Sequence, residues 1–305
     1  MSVPDHLFVP MAKSPGHSEQ IVRPRLSLWQ QARIHLFRNK LAMAGLVIII
    51  ALALLAIFGP LLTTQSFAKQ ELLNGNQAPS ANHWFGTDEL GRDVFARILF
   101  GSRISLTVGV VAALIDFLIG VMYGGIAGYF GGRIDNIMMR FVDILYGIPY
   151  LLVVILLMVV MGPGLFTIIV ALIATGWIGM ARLVRGQVLQ LKSSEYVMAA
   201  RTLGASSWYI IRKHMLPNAI GVIIVQVTFS VPSAIFAEAF LSFLGLGIQP
   251  PLASWGTMAN DALPTILSGK WWRLFFPALF ISLTMLAFNL LGDGLLNAFN
   301  PKQRR

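Results

Sequence analysis

The chain has 305 residues, of which 56% are hydrophobic and only 12% charged, and it carries a net charge of +10. A soluble protein of this length exposes more charge, so the composition points to a membrane protein; the absence of cysteine excludes disulfides, thiolate metal sites and cysteine nucleophiles. The five histidines (His6, His17, His35, His83 and His214) are scattered without metal-ligand spacing, so no metal site is expected, and in so apolar a chain the positive charge reads as basic cytoplasmic loops rather than nucleic-acid binding.

In chain order, residues 1–25 read as a flexible cytoplasmic tail and 26–40 as an amphipathic segment lying at the membrane interface. Residues 41–62 are nearly continuous apolar sequence, about 33 Å long as a helix and so able to span a bilayer. A cleaved signal peptide does not fit: roughly 40 residues precede the run and no small-x-small cleavage site follows it. An external loop with a short helix is expected over 63–103. Five further spans are predicted within a core of residues 104–297, at about 104–130, 141–161, 165–181, 219–241 and 275–296. Residues 298–305 form a second cytoplasmic tail. The fold class is therefore an all-α integral membrane protein with six transmembrane helices.

Lys and Arg counting orients the chain. With the amino terminus inside, only six of the 23 Lys and Arg lie outside: Lys69, Arg92, Arg97, Arg103, Lys270 and Arg273. This places both termini and the polar loop 182–217 in the cytoplasm.

That loop is the most patterned polar stretch in the chain. Ser194 is positioned to cap a helix, with Glu195 in its first turn; Gly204 suits the helix end; Ser206 or Ser207 can cap a second short helix, which Pro217 stops. Ala199, Ala200, Gly204 and Ala205 leave room for close approach of a partner surface. Outside, Asp88–Arg92 and Asp93–Arg97 are spaced i,i+4 with the acid first, which supports a short helix, while Gly86 and Gly91 permit tight turns. This helix either receives a partner or gates a pore, or it only caps the bundle. Gly120, Gly124 and Gly128 form a four-residue repeat suited to close helix packing. Asp116 and Glu238 are intramembrane acids that either line a pathway or bond across helices.

Ala199-Ala200-x₃-Gly204-x₁₁-Leu216-Pro217 resembles the EAA loop of bacterial ABC-importer permeases, with Met198 where the family carries glutamate and His214 where it carries isoleucine. Phe85-Gly-Thr-Asp-Glu-Leu-Gly-Arg-Asp93, Phe243-Leu-Gly-Leu-Gly-Ile-Gln-Pro-Pro251 and Ala287-Phe-Asn-Leu-Leu-Gly-Asp-Gly294 followed by Asn300-Pro-Lys302 are similar to signatures of the dipeptide/oligopeptide/nickel subfamily, in the order of its C-type subunit. The resemblance implies the type I ABC importer permease fold and a heterodimer with a second homologous permease. It also implies two cytoplasmic ATPase subunits, an external substrate-binding protein and residence in the inner membrane of a bacterium. It assigns ATPase coupling to Glu195, Tyr196, Ala199, Ala200, Arg201, Gly204, Leu216 and Pro217, and an external signature to Gly86, Asp88, Gly91, Arg92, Asp93 and Arg97. Peptides are the implied substrates, with nickel or another small solute as the alternative.

The sequence has no G-x-x-x-x-G-K-[ST] loop, G-x-S-x-G or HExxH. No catalytic residue is therefore expected in this chain, and no cofactor on it; ATP and Mg²⁺ belong to the partner subunits. The alternative class is an ion-coupled secondary transporter, in which Asp116 and Glu238 would be the coupling sites.

Overall fold

The computed structural model describes residues 27–299. The expectations for the tail 1–25, Leu26, and Asn300-Pro-Lys302 with the remainder of the second tail lie outside the described residues. Among those described, extended pairing is confined to one isolated bridge, between Thr87 and Asp93, and the rest is helix and loop.

Helix α1 (Leu28–Arg38) begins at a reciprocal cap: the Gln30 amide nitrogen donates to Ser27 Oγ, and the Ser27 amide to Gln30 Oε1. Asn39 ends it and at once starts α2 (Lys40–Phe58), its Oδ1 accepting from the amides of Leu41 and Ala42. The apolar run thus becomes one helix, extended to Leu61 by a 3₁₀ turn containing Pro60.

The long helix α3 (Val94–Phe130) starts where Asp93 Oδ1 accepts from the Ala96 amide, ten residues earlier than the predicted span, so much of the expected external loop is helical. It packs along α6 (Leu165–Lys192). The glycine repeat forms this seam. A Cβ on Gly120 would lie 2.5 Å from the Met180 Cβ, and one on Gly128 would lie 2.9 Å from the Arg185 carbonyl oxygen. Absence of side chains lets the two backbones meet, which in lipid replaces hydrophobic association as the source of helix affinity.

The predicted span at 141–161 is broken. Helix α4 (Gly132–Gly147) and α5 (Tyr150–Met161) meet at a bend of 82°. Pro149 supplies the reason: the residue before a proline is driven out of helical space, and Ile148 is extended (φ −82°, ψ 123°). Before the break α4 is amphipathic and ion-paired to α6, with Arg185 Nη2 on Asp135 at 2.7 Å and Arg182 on Asp143 at 2.7 Å. Among the described residues, five helices are individually long and apolar enough to cross a membrane, and the bent pair is the sixth candidate.

Pro217 does not stop the second short helix of the polar loop. After α7 (Glu195–Thr202), α8 (Ser207–Ile210) runs through a π turn at Ile211–Met215 directly into α9 (Leu216–Leu241). The helix continues past the proline because the π turn just before it has already shifted the hydrogen-bond ladder, the Leu216 amide reaching five residues back to the Ile211 carbonyl. Helix α10 (Trp255–Ala262) and a 3₁₀ turn precede α11 (Trp272–Phe299), which packs on α2 and α9.

Candidate functional site

The polar loop is built as an outer face riveted to the core. Val197, Ile210, Ile211 and Met215 are buried and pack with Val121, Tyr129, Val184 and Val188 of α3 and α6. The Arg201 guanidinium sits 5.7 Å from the Tyr129 ring. Gly204 has φ +79°, the left-handed geometry expected of it, and closes α7. Ser206 caps α8 by accepting from the Tyr209 amide. Ser194 occupies the cap position of α7, but its hydroxyl donates back to the Leu191 carbonyl (2.6 Å), so the expected side-chain cap is absent.

Of the predicted coupling residues, Glu195, Tyr196, Ala199, Arg201, Gly204 and Pro217 are exposed. Ala200 and Leu216 are half-buried and pack on the core. His214 sits near two tyrosines, with ring centroids 6.3 Å from Tyr196 and 5.6 Å from Tyr209. Sequence reasoning missed the apolar part of this face: Met198, Leu203, Trp208 and Tyr209 are also exposed, Leu203 at 87%. Apolar side chains gathered on an otherwise polar loop fit a protein contact.

The external signature is a buried charge clasp, and it differs from the expected helix. Asp88 Oδ1 accepts from the amides of Leu90 and Arg92, both at 2.9 Å. Its Oδ2 accepts from Arg92 Nε (2.7 Å) and Arg97 Nη1 (2.9 Å). The Asp88–Arg92 pair therefore forms, but within a tight turn. Asp93 does not pair with Arg97: one oxygen caps α3, and the other lies 2.9 Å from His83 Nδ1. Arg97 instead reaches Asp261 of α10 (3.2 Å), and Arg273 of α11 donates to the Asp261 carbonyl (2.6 Å) and to Asn76 Oδ1 (3.1 Å). Gly86 and Gly91 both have positive φ, and at Gly91 a Cβ would strike the Glu71 backbone. Neither Asp261 nor the placement of Arg273 in this clasp is signalled by local spacing in the sequence.

The two intramembrane acids separate. Glu238 is fully buried and partnered: Ser242 donates at 2.7 Å and Ser105 at 3.3 Å, while Ser105 Oγ accepts from the Trp255 amide. It ties α3, α9 and α10 together. Asp116 is also buried, but its Oδ1 has no hydrogen-bond partner. It lines a cavity of about 320 Å³ between α3, α5, α6 and α9.

Comparison with known proteins assigns the fold and family. The family described as "Binding-protein-dependent transport system inner membrane component" matches residues 120–305, and the "N-terminal TM domain of oligopeptide transport permease C" matches residues 27–79. The dipeptide transport system permease protein DppC of Bacillus subtilis (strain 168) is 66% identical over 303 residues, covering 99% of this chain and 95% of that protein. The oligopeptide transport system permease protein OppC of the same organism is 55% identical over 304 residues, covering 100% of this chain and 99% of that protein. A solved structure of the MetNI methionine ABC transporter in an inward-facing conformation aligns with a TM-score of 0.52 at 18% identity, over 66% of this chain and 94% of that one, which bears on the fold alone. The chain belongs to the family of binding-protein-dependent transport system inner membrane components, as a multi-pass permease subunit of a bacterial ABC importer whose ATPase is a separate chain.

Proposed function

We propose that this chain carries di- and oligopeptides across the cytoplasmic membrane as one half of a permease heterodimer, driven by two ATPase subunits that hold the ATP and Mg²⁺ and supplied by an external substrate-binding protein. Both termini and the loop 182–217 face the cytoplasm. The relatives named for dipeptide and oligopeptide transport support the substrate class over nickel or another small solute.

One observation carries the coupling role: the outer face of α7 and α8 is exposed and partly apolar, while the inner face of the same segment is locked into the α3–α6 seam. A partner that moves this face moves the helices. Glu195, Tyr196, Ala199, Arg201 and Gly204 form the contact together with Leu203 and Trp208; Ala200, Leu216 and Pro217 position it. ATP shifts the permease between inward-open and outward-open states to the extent that its binding and hydrolysis states differ in affinity for the two. Asp88, Arg92, Arg97 and Asp93, with Gly86 and Gly91, hold the external loop rigid toward the binding protein.

The chain has no cysteine, so one introduced at Leu203 is the sole thiol on this subunit. Leu203→Cys in the purified complex is expected to cross-link to an ATPase subunit, and Leu203→Asp to lower ATP-dependent peptide uptake into proteoliposomes. A chain that purifies alone, or that moves peptide without ATP, would overturn the proposal.

A further inference from the structure

The cavity beside Asp116 is unusual in what its walls offer. Its polar lining comes from Asp116 on α3, Tyr150 on α5, Thr175 on α6, and Gln226, Ser230 and Ser233 on α9; among the described residues no Lys, Arg or His lines it. Ser230 and Ser233 spend their protons on main-chain carbonyls, donating to Gln226 O (3.1 Å) and Phe229 O (2.9 Å). What those hydroxyls have left to present is lone pairs. Asp116 adds a carboxylate that is only 8% exposed, and both its Oδ1 and the Tyr150 hydroxyl are buried without a partner. The carboxylate fits where it does because residue 176 is glycine: a Cβ there would lie 2.5 Å from Asp116 Oδ2. Phe229 also lines the cavity, while the tip of its ring packs on Gly292 of α11.

A site with one acid and several free acceptors is complementary to a primary ammonium, which has three donors and no acceptor. It holds no cation to meet a carboxylate, and its own acid repels one. The volume of about 320 Å³ falls at the small end of ligand pockets, enough for the first residue or two of a peptide. We infer that Asp116 receives the free amino terminus of the transported peptide in this cavity, with Ser230, Ser233 and Gln226 as further acceptors. This deepens the peptide-import reading and rests on it. Since four helices converge here, their relative movement opens the site to one side or the other while the ammonium is held.

The test uses the complete transporter in proteoliposomes, with the binding protein saturated in turn by labelled trialanine and by N-acetyl-trialanine. KM is measured for the parent, Asp116→Asn and Asp116→Glu. The parent is expected to favour the free amine. Asp116→Asn should raise KM for trialanine about tenfold, the loss of a charge-assisted hydrogen bond, so that the ratio between the two peptides moves toward one; Asp116→Glu should keep the preference. The inference is overturned by an unchanged trialanine KM in Asp116→Asn, by an equal loss for both peptides, or by loss of the second permease from the purified complex, which would assign the acid to a subunit contact. Uptake of neither peptide by the parent would instead overturn the peptide reading itself.

Discussion

Asp88→Asn should unfasten the external clasp. Four donors converge on the Asp88 carboxylate: two amides on Oδ1, and Arg92 Nε and Arg97 Nη1 on Oδ2. An asparagine has one oxygen and one NH₂, so whichever way it turns, two donors face a donor. Arg92 and Arg97 have side chains only 7% and 4% exposed, and their remaining acid is Asp261, at 3.8 and 3.2 Å and itself 41% exposed. Removing one partner from a buried ion network costs about 3–5 kcal/mol, because the charges left behind stay desolvated. At a few degrees per kcal/mol, the apparent Tm of the detergent-purified complex should fall on the order of 10 °C, read by the monodisperse fraction surviving a heat step. Lys69→Ala, which breaks only the exposed Lys69–Glu71 pair, should leave Tm unchanged and serves as the control. The buried network should also be insensitive to salt. A fall of less than about 2 °C for Asp88→Asn, or a comparable fall in the parent on adding salt, would refute the clasp.

Adjacent glycines on α3 should behave oppositely. Gly124→Leu drives a side chain into the backbone of Ala181 and Arg185 and should cost several kcal/mol, seen as loss of folded protein from the membrane, whereas Gly125→Ala meets nothing nearer than 3.9 Å and should be tolerated. Glu238→Ala removes the acceptor for Ser105 and Ser242 and should cost about 1–3 kcal/mol in thermal stability, with Glu238→Gln losing less because one acceptor oxygen remains. Gly204→Val meets open space but is forced into φ +79°, so it should cost about 1–2 kcal/mol locally and raise protease cleavage of the loop, while Gly204→Asn should be nearly neutral.

The elements legible in the sequence are those decided within a few residues. The apolar run of α2, the α3 glycine repeat and the left-handed Gly204 each carry their own local signal. The bend at Pro149 was masked, because residues 141–161 are apolar enough to read as one span while a single pre-proline residue decides the direction of the chain. Pro217 acts in the opposite sense: proline reads as a stop, yet the helix runs past it because the π turn at Ile211–Met215 has already shifted the hydrogen-bond ladder there. At Asp93 two local rules competed. Spacing favoured Arg97 as its partner, but the amides at the start of α3 lie closer and already point at the carboxylate. Arg97 was then free for Asp261, 164 residues away in sequence, a pairing that no local pattern encodes.

The two acids that look equivalent in the sequence differ in what surrounds them. Each lies in an apolar helix, and each reads as either pathway or glue. Glu238 became glue because Ser242 stands one turn along on the same helix face, and because α10 returns to bring Trp255 onto Ser105. Asp116 has no hydroxyl within a turn on α3, and the nearest wall of α6 is a glycine, which can make room but cannot donate. A buried carboxylate without donors is costly, and a fold that needed only to hold helices together would be more stable with an apolar residue there. Retaining the acid makes physical sense where the missing donors arrive with cargo. On this account a bound ammonium relieves the cost of desolvating an ionised Asp116, which biases the loaded state over the empty one at the depth where the helices must choose a side.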